Sequence, residues 1–343
     1  MALTRRTFLA VMPLCASAVI SCTTGTQRAR SSYPYVELAV RESKQAPKAT
    51  ILVFMPETSQ TKEVLSGLSD ELASDFRLVA VRLESSEAKS VIEEGIRRHR
   101  PAALVLMNNP TVTAYRDYQR STHKGHHPPA VVVMTSFLDG QTTSMQSWTG
   151  ISYEVPLITA VTNLRRVIAS PTERVGVVVR PSLKRFIERQ VVLARREQIT
   201  VVSEDVSAEP NASELKRAIR RLKARANVIW VLNDDRLLSP RLIAEGWLPE
   251  LNERPWVPTI VGAASLVSPT QSFGTFAVLP DHLALGTQAG NMVFDIADEN
   301  WQLVAQPVVQ LPLSTTTAID LNQAKERFTL REEALQRIDK ILQ

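Results

Sequence analysis

Short runs of β-branched residues recur along the chain, each followed by a stretch in which apolar positions return every three to four residues. The first set is Ile51–Phe54, Leu78–Val81, Leu104–Met107 and Val131–Met134, with starts 27, 26 and 27 residues apart. A second set begins at Val175, Val201, Val228 and Val257, spaced 26, 27 and 29 residues, and 44 residues separate the start of its first run from that of the last run before it. Each spacing accommodates one strand, one helix and two loops. Continuously apolar strands alternating with helices predict a parallel sheet covered on both faces, and two such blocks predict two lobes. The helices carry the matching period: Leu183, Phe186, Ile187, Val191 and Ala194 share one stripe, and Leu215, Ala218, Ile219 and Leu222 another. The expected fold class is α/β, with two doubly wound parallel-sheet lobes joined by a multi-stranded hinge.

After about residue 265 the alternation changes. A loop over Ser265–Ser272 leads to the apolar run Phe273–Leu279, a helix over Asp281–Ile296, a strand over Val308–Leu313, and a terminal helix carrying Leu335, Ile338, Ile341 and Leu342. This tail is long enough to recross between the lobes. The reading therefore gives the first lobe residues 48–150 with part of 275–300, and the second lobe 151–274 with part of 300–343.

The N-terminus has a different pattern. Arg5 and Arg6 precede a 13-residue apolar run, Phe8–Ile20, which is shorter than the roughly 20 residues a membrane span needs but suits the core of a signal peptide. Thr4–Leu9 resembles a twin-arginine export motif and Val19-Ile-Ser-Cys22 resembles a lipobox, so residues 1–22 are read as a leader and Cys22 as the lipidated first residue of a bacterial lipoprotein. The plainer alternative is a secretory signal with an incidental Cys22. Cys15 leaves with the leader, so the processed chain has one cysteine and no intramolecular disulfide. Residues 23–47, mostly polar, are read as a tether, and Thr23 after the anchor points to the outer membrane of a Gram-negative envelope.

Composition narrows the function. Of 343 residues, 44% are hydrophobic, enough to bury a core. The 40 Lys and Arg exceed the 35 Asp and Glu by five, or by three once Arg5 and Arg6 are removed, too small a surplus for a nucleic-acid footprint. The basic residues Lys216, Arg217, Arg220, Arg221, Lys223 and Arg225 are read as a solvated helix exterior rather than an anionic docking face. No glycine-rich nucleotide loop, serine-nucleophile elbow or zinc motif occurs, so no catalytic residue, cofactor or metal is assigned and the chain is not read as an enzyme. Four S-x-x-K matches, at Ser59, Ser86, Ser121 and Ser213, lack the companion K-T-G and indicate chance. His123, His126 and His127 cluster in a polar loop without nearby Cys, Asp or Glu to complete a metal site.

Three stretches carry a resemblance: Thr149-Gly-Ile-Ser-Tyr-Glu-Val-Pro156, Asp281-His-Leu-Ala-Leu-Gly-Thr-Gln-Ala-Gly290 and Ser314-Thr-Thr-Thr-Ala-Ile-Asp-Leu-Asn-Gln-Ala324. From about residue 48 onward the chain resembles the ABC-transporter substrate-binding family of the tryptophan- and tyrosine-binder type, which has the type I periplasmic binding protein fold. The resemblance implies a periplasm-facing lipoprotein that captures a small molecule between two lobes for an ABC permease. Met134-Thr-Ser-Phe-Leu-Asp-Gly140 stands where that family usually carries Asp-Pro, and the chain has only 12 glycines. These departures, with Thr23, keep a second reading open: a regulatory or structural envelope lipoprotein that binds a protein partner with the same fold.

Open parallel sheets hold ligands outside the carboxyl ends of their strands, where helix N-termini offer N–H groups and partial positive charge. Those ends supply Thr58 and Ser59 beside Glu57; Asn109 and Thr111 beside Asn108; Thr135 and Ser136; Ser152 and Tyr153; Arg180 and Ser182; Asp234 between Asn233 and Asp235; and Gly262. Hydroxyls and N–H groups suit a carboxylate and Asp234 suits an ammonium, so the expected ligand is small and polar or amphoteric, like an amino acid, trapped by hinge closure.

Overall fold

The computed structural model describes residues 35–42, 47–86, 88–122, 127–303 and 307–343. The leader, Cys22, His123 and His126 lie outside the described residues. The first sheet begins with β1 (Glu37–Arg41) and β2 (Ala49–Met55), followed by α1 (Ser59–Leu72), β3 (Phe76–Arg82), α2 (Lys89–His99), β4 (Ala103–Met107) and α3 (Asn109–Ser121). Next come β5 (Ala130–Val133), the short α4 (Leu138–Gln141) and β6 (Trp148–Ile151). The chain then crosses over and builds α5 (Leu157–Val167), β7 (Arg174–Val179), α6 (Lys184–Arg196), β8 (Thr200–Asp205), α7 (Ala212–Lys223) and β9 (Val228–Trp230). A helical segment, α8 (Pro240–Leu242) running through a π-turn into α9 (Leu248–Asn252), leads to β10 (Thr259–Val261) and β11 (Phe276–Pro280). The tail holds α10 (His282–Asp298), β12 (Val309–Gln310), β13 (Thr315–Asp320), α11 (Leu321–Arg327), α12 (Glu332–Leu335) and β14 (Lys340–Leu342).

Two seven-stranded sheets result, in the orders β1-β3-β2-β4-β5-β6-β12 and β14-β13-β11-β10-β9-β7-β8. Five consecutive strands of each, β3-β2-β4-β5-β6 and β8-β7-β9-β10-β11, are parallel and share one doubly wound order, with β1 antiparallel to β3 and β13 antiparallel to β11. Strand β2 shows why the runs are continuously apolar. Ile51, Val53 and Met55 face a layer that includes Val64, Leu68 and Leu285, whereas Leu52 and Phe54 face Val91, Ile92 and Tyr115, and all are buried.

α10 follows the last parallel strand of the second sheet yet packs against α1, over the first sheet. The approach is backbone on backbone. A Cβ on Gly286 would stand 2.1 Å from the Val64 carbonyl oxygen, and one on Gly67 would stand 2.1 Å from the Leu283 carbonyl oxygen. The chain thus crosses between the lobes at Ser152–Pro156, at Asp281 and at Leu311–Ser314. These crossings are bonded to one another: the Ser152 N–H donates to the Gln310 carbonyl at 2.9 Å and the Asp281 N–H to the Ser314 carbonyl at 3.1 Å. The buried amide of Gln288 on α10 donates to the Leu311 carbonyl at 3.0 Å and accepts the Leu313 N–H at 3.2 Å.

Three local expectations are corrected. Residues 37–41 do not belong to a tether: they form β1, because β3 otherwise leaves an unpaired edge and Leu38 and Ala39 pack on the core beneath it. The expected terminal helix is the single turn α12 followed by β14, whose backbone pairs with the open side of β13 while Asp339 accepts both the N–H and hydroxyl of Thr317 at 2.7 Å. The strand expected over Val308–Leu313 narrows to Val309–Gln310, since residues 311–313 are bonded to Gln288 instead.

Gly286→Val is expected to lower unfolding stability by about 2–3 kcal/mol through overpacking against α1. Gly140→Ala, where a Cβ meets no atom within 4 Å, should stay within about 0.5 kcal/mol of wild type, both being read by urea denaturation of the full chain.

Candidate functional site

In each lobe the strand order reverses between two neighbouring strands, β2 and β4 in the first and β7 and β9 in the second, and the loops there diverge to leave a crevice. The carboxyl ends face one another across a cleft of about 970 Å3. Of the residues predicted for the site, Asn109, Ser136 and Ser152 line the cleft from the first lobe, and Arg180, Ser182 and Asp234 from the second, together with Asn233 and Asp235.

The remaining predicted residues are employed elsewhere. Thr58 is the N-cap of α1, accepting the Thr61 N–H at 3.2 Å, and the exposed Ser59 begins that helix. Thr111 is fully buried in the first turn of α3, where its N–H donates to the Asn108 side chain at 3.1 Å and its hydroxyl to the Asn108 carbonyl at 2.9 Å. The buried Thr135 hydroxyl donates to the Val133 carbonyl at 3.3 Å. Tyr153 turns into the first lobe's core, donating to His282 Nε2 at 3.0 Å while Nδ1 of that ring lies 3.2 Å from Glu63. Burial raises the Tyr153 hydroxyl to about 12 and lowers the His282 imidazole, so the pair ties the first crossing to the second as neutral groups. Gly262 makes room: a Cβ there would lie 2.3 Å from the Asn233 amide. Glu57 is paired with Lys62 at 3.1 Å.

The second lobe's crevice is spanned by a two-pronged ion pair. Arg180, after β7, donates to both carboxylate oxygens of Asp234, after β9, at 2.7 and 2.9 Å. The Asp234 side chain is 1% exposed and also accepts the Arg236 N–H at 3.0 Å, while Arg180 donates further to the Ala208 carbonyl at 2.9 Å. Asp234 therefore has its charge neutralised within the protein and is not the waiting partner for an ammonium that the sequence predicted.

Five further residues matter that strand-end reading passed over. Phe137 has a left-handed backbone (φ 52°), strained for a bulky side chain, and its ring sits edge-to-face on Phe186 of α6 with centroids 5.3 Å apart, bridging the lobes. Outside this contact Arg189 pairs with Asp139 at 2.7 Å; both are exposed, so the pair adds little. Glu154, on the first crossing, is buried in the cleft wall and accepts the Phe137 N–H at 3.0 Å. Burial lifts its carboxyl from an ordinary 4.5 to about 7, opposed by the Phe137 and Glu154 N–H groups and the Ser152 hydroxyl and reinforced by Asp139. The only sequence signals were a large aromatic inside the Met134–Gly140 turn and an acid inside the Thr149–Pro156 stretch.

The basic face of α7 is largely internally paired: Arg220 holds Glu250 at 2.8 Å, Arg221 and Arg225 share Glu204, and Lys223 donates to the Glu250 and Glu253 carbonyls. Among the described residues no group of three or more His, Cys, Asp or Glu could hold a metal ion. His127 lies 3.1 Å from the Thr122 hydroxyl. No described helix is long and apolar enough to cross a membrane.

No family model matches the sequence, and no curated protein matches it. Solved structures do. The ligand-free, open structure of a substrate binding protein with adhesive properties from Clostridium difficile aligns with 85% of this chain and 98% of its own at 13% identity and a TM-score of 0.62. A conserved domain protein from Vibrio cholerae aligns over 85% and 98% at 18% identity and a TM-score of 0.56. An ABC domain in complex with L-Trp from Streptococcus pneumonia aligns over 85% and 100% at 16% identity and a TM-score of 0.53. Regulators of the LacI family match more loosely. The fold is type I periplasmic binding protein-like, and at these identities the likeness establishes architecture alone.

Two outcomes are expected. A carboxyl whose folded value is raised carries no penalty below about pH 4.5, a growing one from there to about 7, and the full one above. Glu154→Gln should therefore flatten the fall in melting temperature over that window and leave the variant relatively more stable at pH 8. Asp234→Ala should cost about 3–5 kcal/mol in urea unfolding by stranding Arg180, whereas the apolar double variant Arg180→Met/Asp234→Leu should recover most of it.

Proposed function

We propose that this chain is a solute receptor that closes its lobes on a small polar or amphoteric, amino-acid-like molecule. The observation that carries the reading is the cleft itself: two carboxyl-end faces opposed across about 970 Å3, lined by the polar residues Asn109, Ser136, Ser152, Ser182 and Asn233. Because Asp234 is engaged by Arg180, the ligand's charged ends are assigned to other groups. Arg185, whose guanidinium has no ion-pair partner among the described residues, would receive a carboxylate. Asp235 and the inner carboxyl of Glu154 would receive an ammonium, and Phe137 and Phe186 would cover an apolar or aromatic side chain. In this proposal the protein is exported, held by lipid on Cys22 facing the periplasm, at the outer membrane if the cell is Gram-negative, and delivers its solute to an ABC permease.

One feature supports a second reading, an envelope lipoprotein that engages a protein partner. Along the third crossing Val308, Leu311 and Leu313 are exposed, Leu313 at 82%, and Val309 and Leu311 also border the cleft mouth.

Isothermal titration and thermal-shift screening of the full chain against amino acids and aromatic solutes should find one stabilising ligand, worth about 2.7 kcal/mol at a hundredfold excess over Kd. Arg185→Gln and Phe137→Ala should each weaken that ligand about tenfold or more. Silence across the whole set overturns the receptor reading, and a stoichiometric envelope partner recovered alongside it supports the second.

A further inference from the structure

We propose that the second lobe carries a separate binding pocket, remote from the cleft, for a small organic anion with a flat apolar body. The pocket lies where the C-terminal turn of α5, the first residue of β11 and the single turn α12 meet, toward the amino ends of the second sheet's strands. Its volume is about 240 Å3. The floor is apolar, built from Val167 and Phe276, both at most 3% exposed, with Ala334 and Ile338 beside them. Three arginines line it: Arg166, Arg331 and Arg337. One Nη of Arg331 is committed to the Arg165 carbonyl at 2.8 Å, which fixes the side chain at the rim. The guanidinium groups of Arg166 and Arg337 have no ion-pair or hydrogen-bond partner among the described residues.

The lining charge is three arginines against one glutamate, Glu333, a balance of plus two. Elsewhere in this lobe arginines beside acids form pairs, as Arg220, Arg221 and Arg180 do. Here Glu333 pairs with none of the three. Two unpaired forks above an apolar floor match a planar anion: the forks bond a carboxylate from two sides, and guanidinium planes stack on an aromatic ring. The pocket is smaller than the roughly 300–1,000 Å3 of drug-sized sites, which limits the occupant to about one ring bearing one anionic group. Glu333 at the edge disfavours a second negative charge. This inference does not depend on the solute-receptor reading.

The test is isothermal titration of the full-length protein with benzoate, and with benzamide as its neutral counterpart. Benzoate should bind the wild type at one site, and benzamide about tenfold more weakly or less. Arg166→Gln/Arg337→Gln should lose benzoate affinity about tenfold or more, and Arg166→Lys/Arg337→Lys, which keeps both charges without the forks, should fall between the two. A silent wild type, equal binding of benzamide, or unchanged affinity in the glutamine variant overturns the proposal. Benzoate binding abolished by Arg185→Gln but intact in the glutamine pair would place the anion in the interlobe cleft, overturning this pocket while sparing the receptor reading.

Discussion

The architecture depends on one contact between backbones, that of α10 with α1. The face of the first sheet formed by Ile51, Val53 and Met55 needs the apolar sides of both helices to keep water out. α1 is encoded beside β2, but α10 arrives only after the five parallel strands β7 to β11 of the second sheet have been built. The chain is obliged to cross, cover the first sheet, and cross again to complete the second with β13 and β14. Gly67 and Gly286 make this possible, because any side chain at either position would meet a carbonyl of the partner helix. The triple connection is thus a consequence of how the first core is closed.

That connection fixes where the two sheets' carboxyl ends face each other, and the protein fills the resulting space unevenly. On the second lobe the crevice is occupied by the ion pair of Arg180 and Asp234, which satisfies both charges within the chain. On the first lobe the polar loop residues at the crevice are absorbed into the caps of α1 and α3. What remains open lies between the lobes, around Ser136, Ser152, Ser182 and Asn233, and is roofed by the aromatic contact of Phe137 with Phe186. Glu154 joins these parts. It sits on the first crossing, holds the Phe137 N–H, and resists ionisation because it is buried.

How much of this was legible in the sequence follows from burial. Strands covered on both faces must be apolar at every position, and β2, β3, β4, β5, β7 and β9 were therefore visible as runs. Edge strands carry no such demand: β1 lies in a polar stretch and β14 in three residues after Asp339, so both were read as something else. At the site, strand ends led to Asn109, Ser136, Ser152, Arg180, Ser182 and Asp234, which do line the cleft. The same logic led to Thr58 and Thr111, because a hydroxyl that caps a helix is indistinguishable, by residue type, from one that awaits a ligand. Asp234 and Arg180 are both found this way but their pairing is not, since 54 residues separate them and pairing at that range is a property of strand order. Phe137 and Glu154 belong to loops whose geometry depends on the other lobe, and no local pattern announces them.

The Gln288 amide has a mechanical consequence. By grasping the third connection on both sides, at Leu311 and Leu313, it makes that stretch travel with the first lobe as far as Leu313. The Tyr153 and His282 pair does the same for the other two connections. Any relative rotation of the halves must then be taken up in a few bonds just beyond these clasps, near Pro156, Asp281 and Ser314, so the molecule turns on a short axle and not on three slack cords.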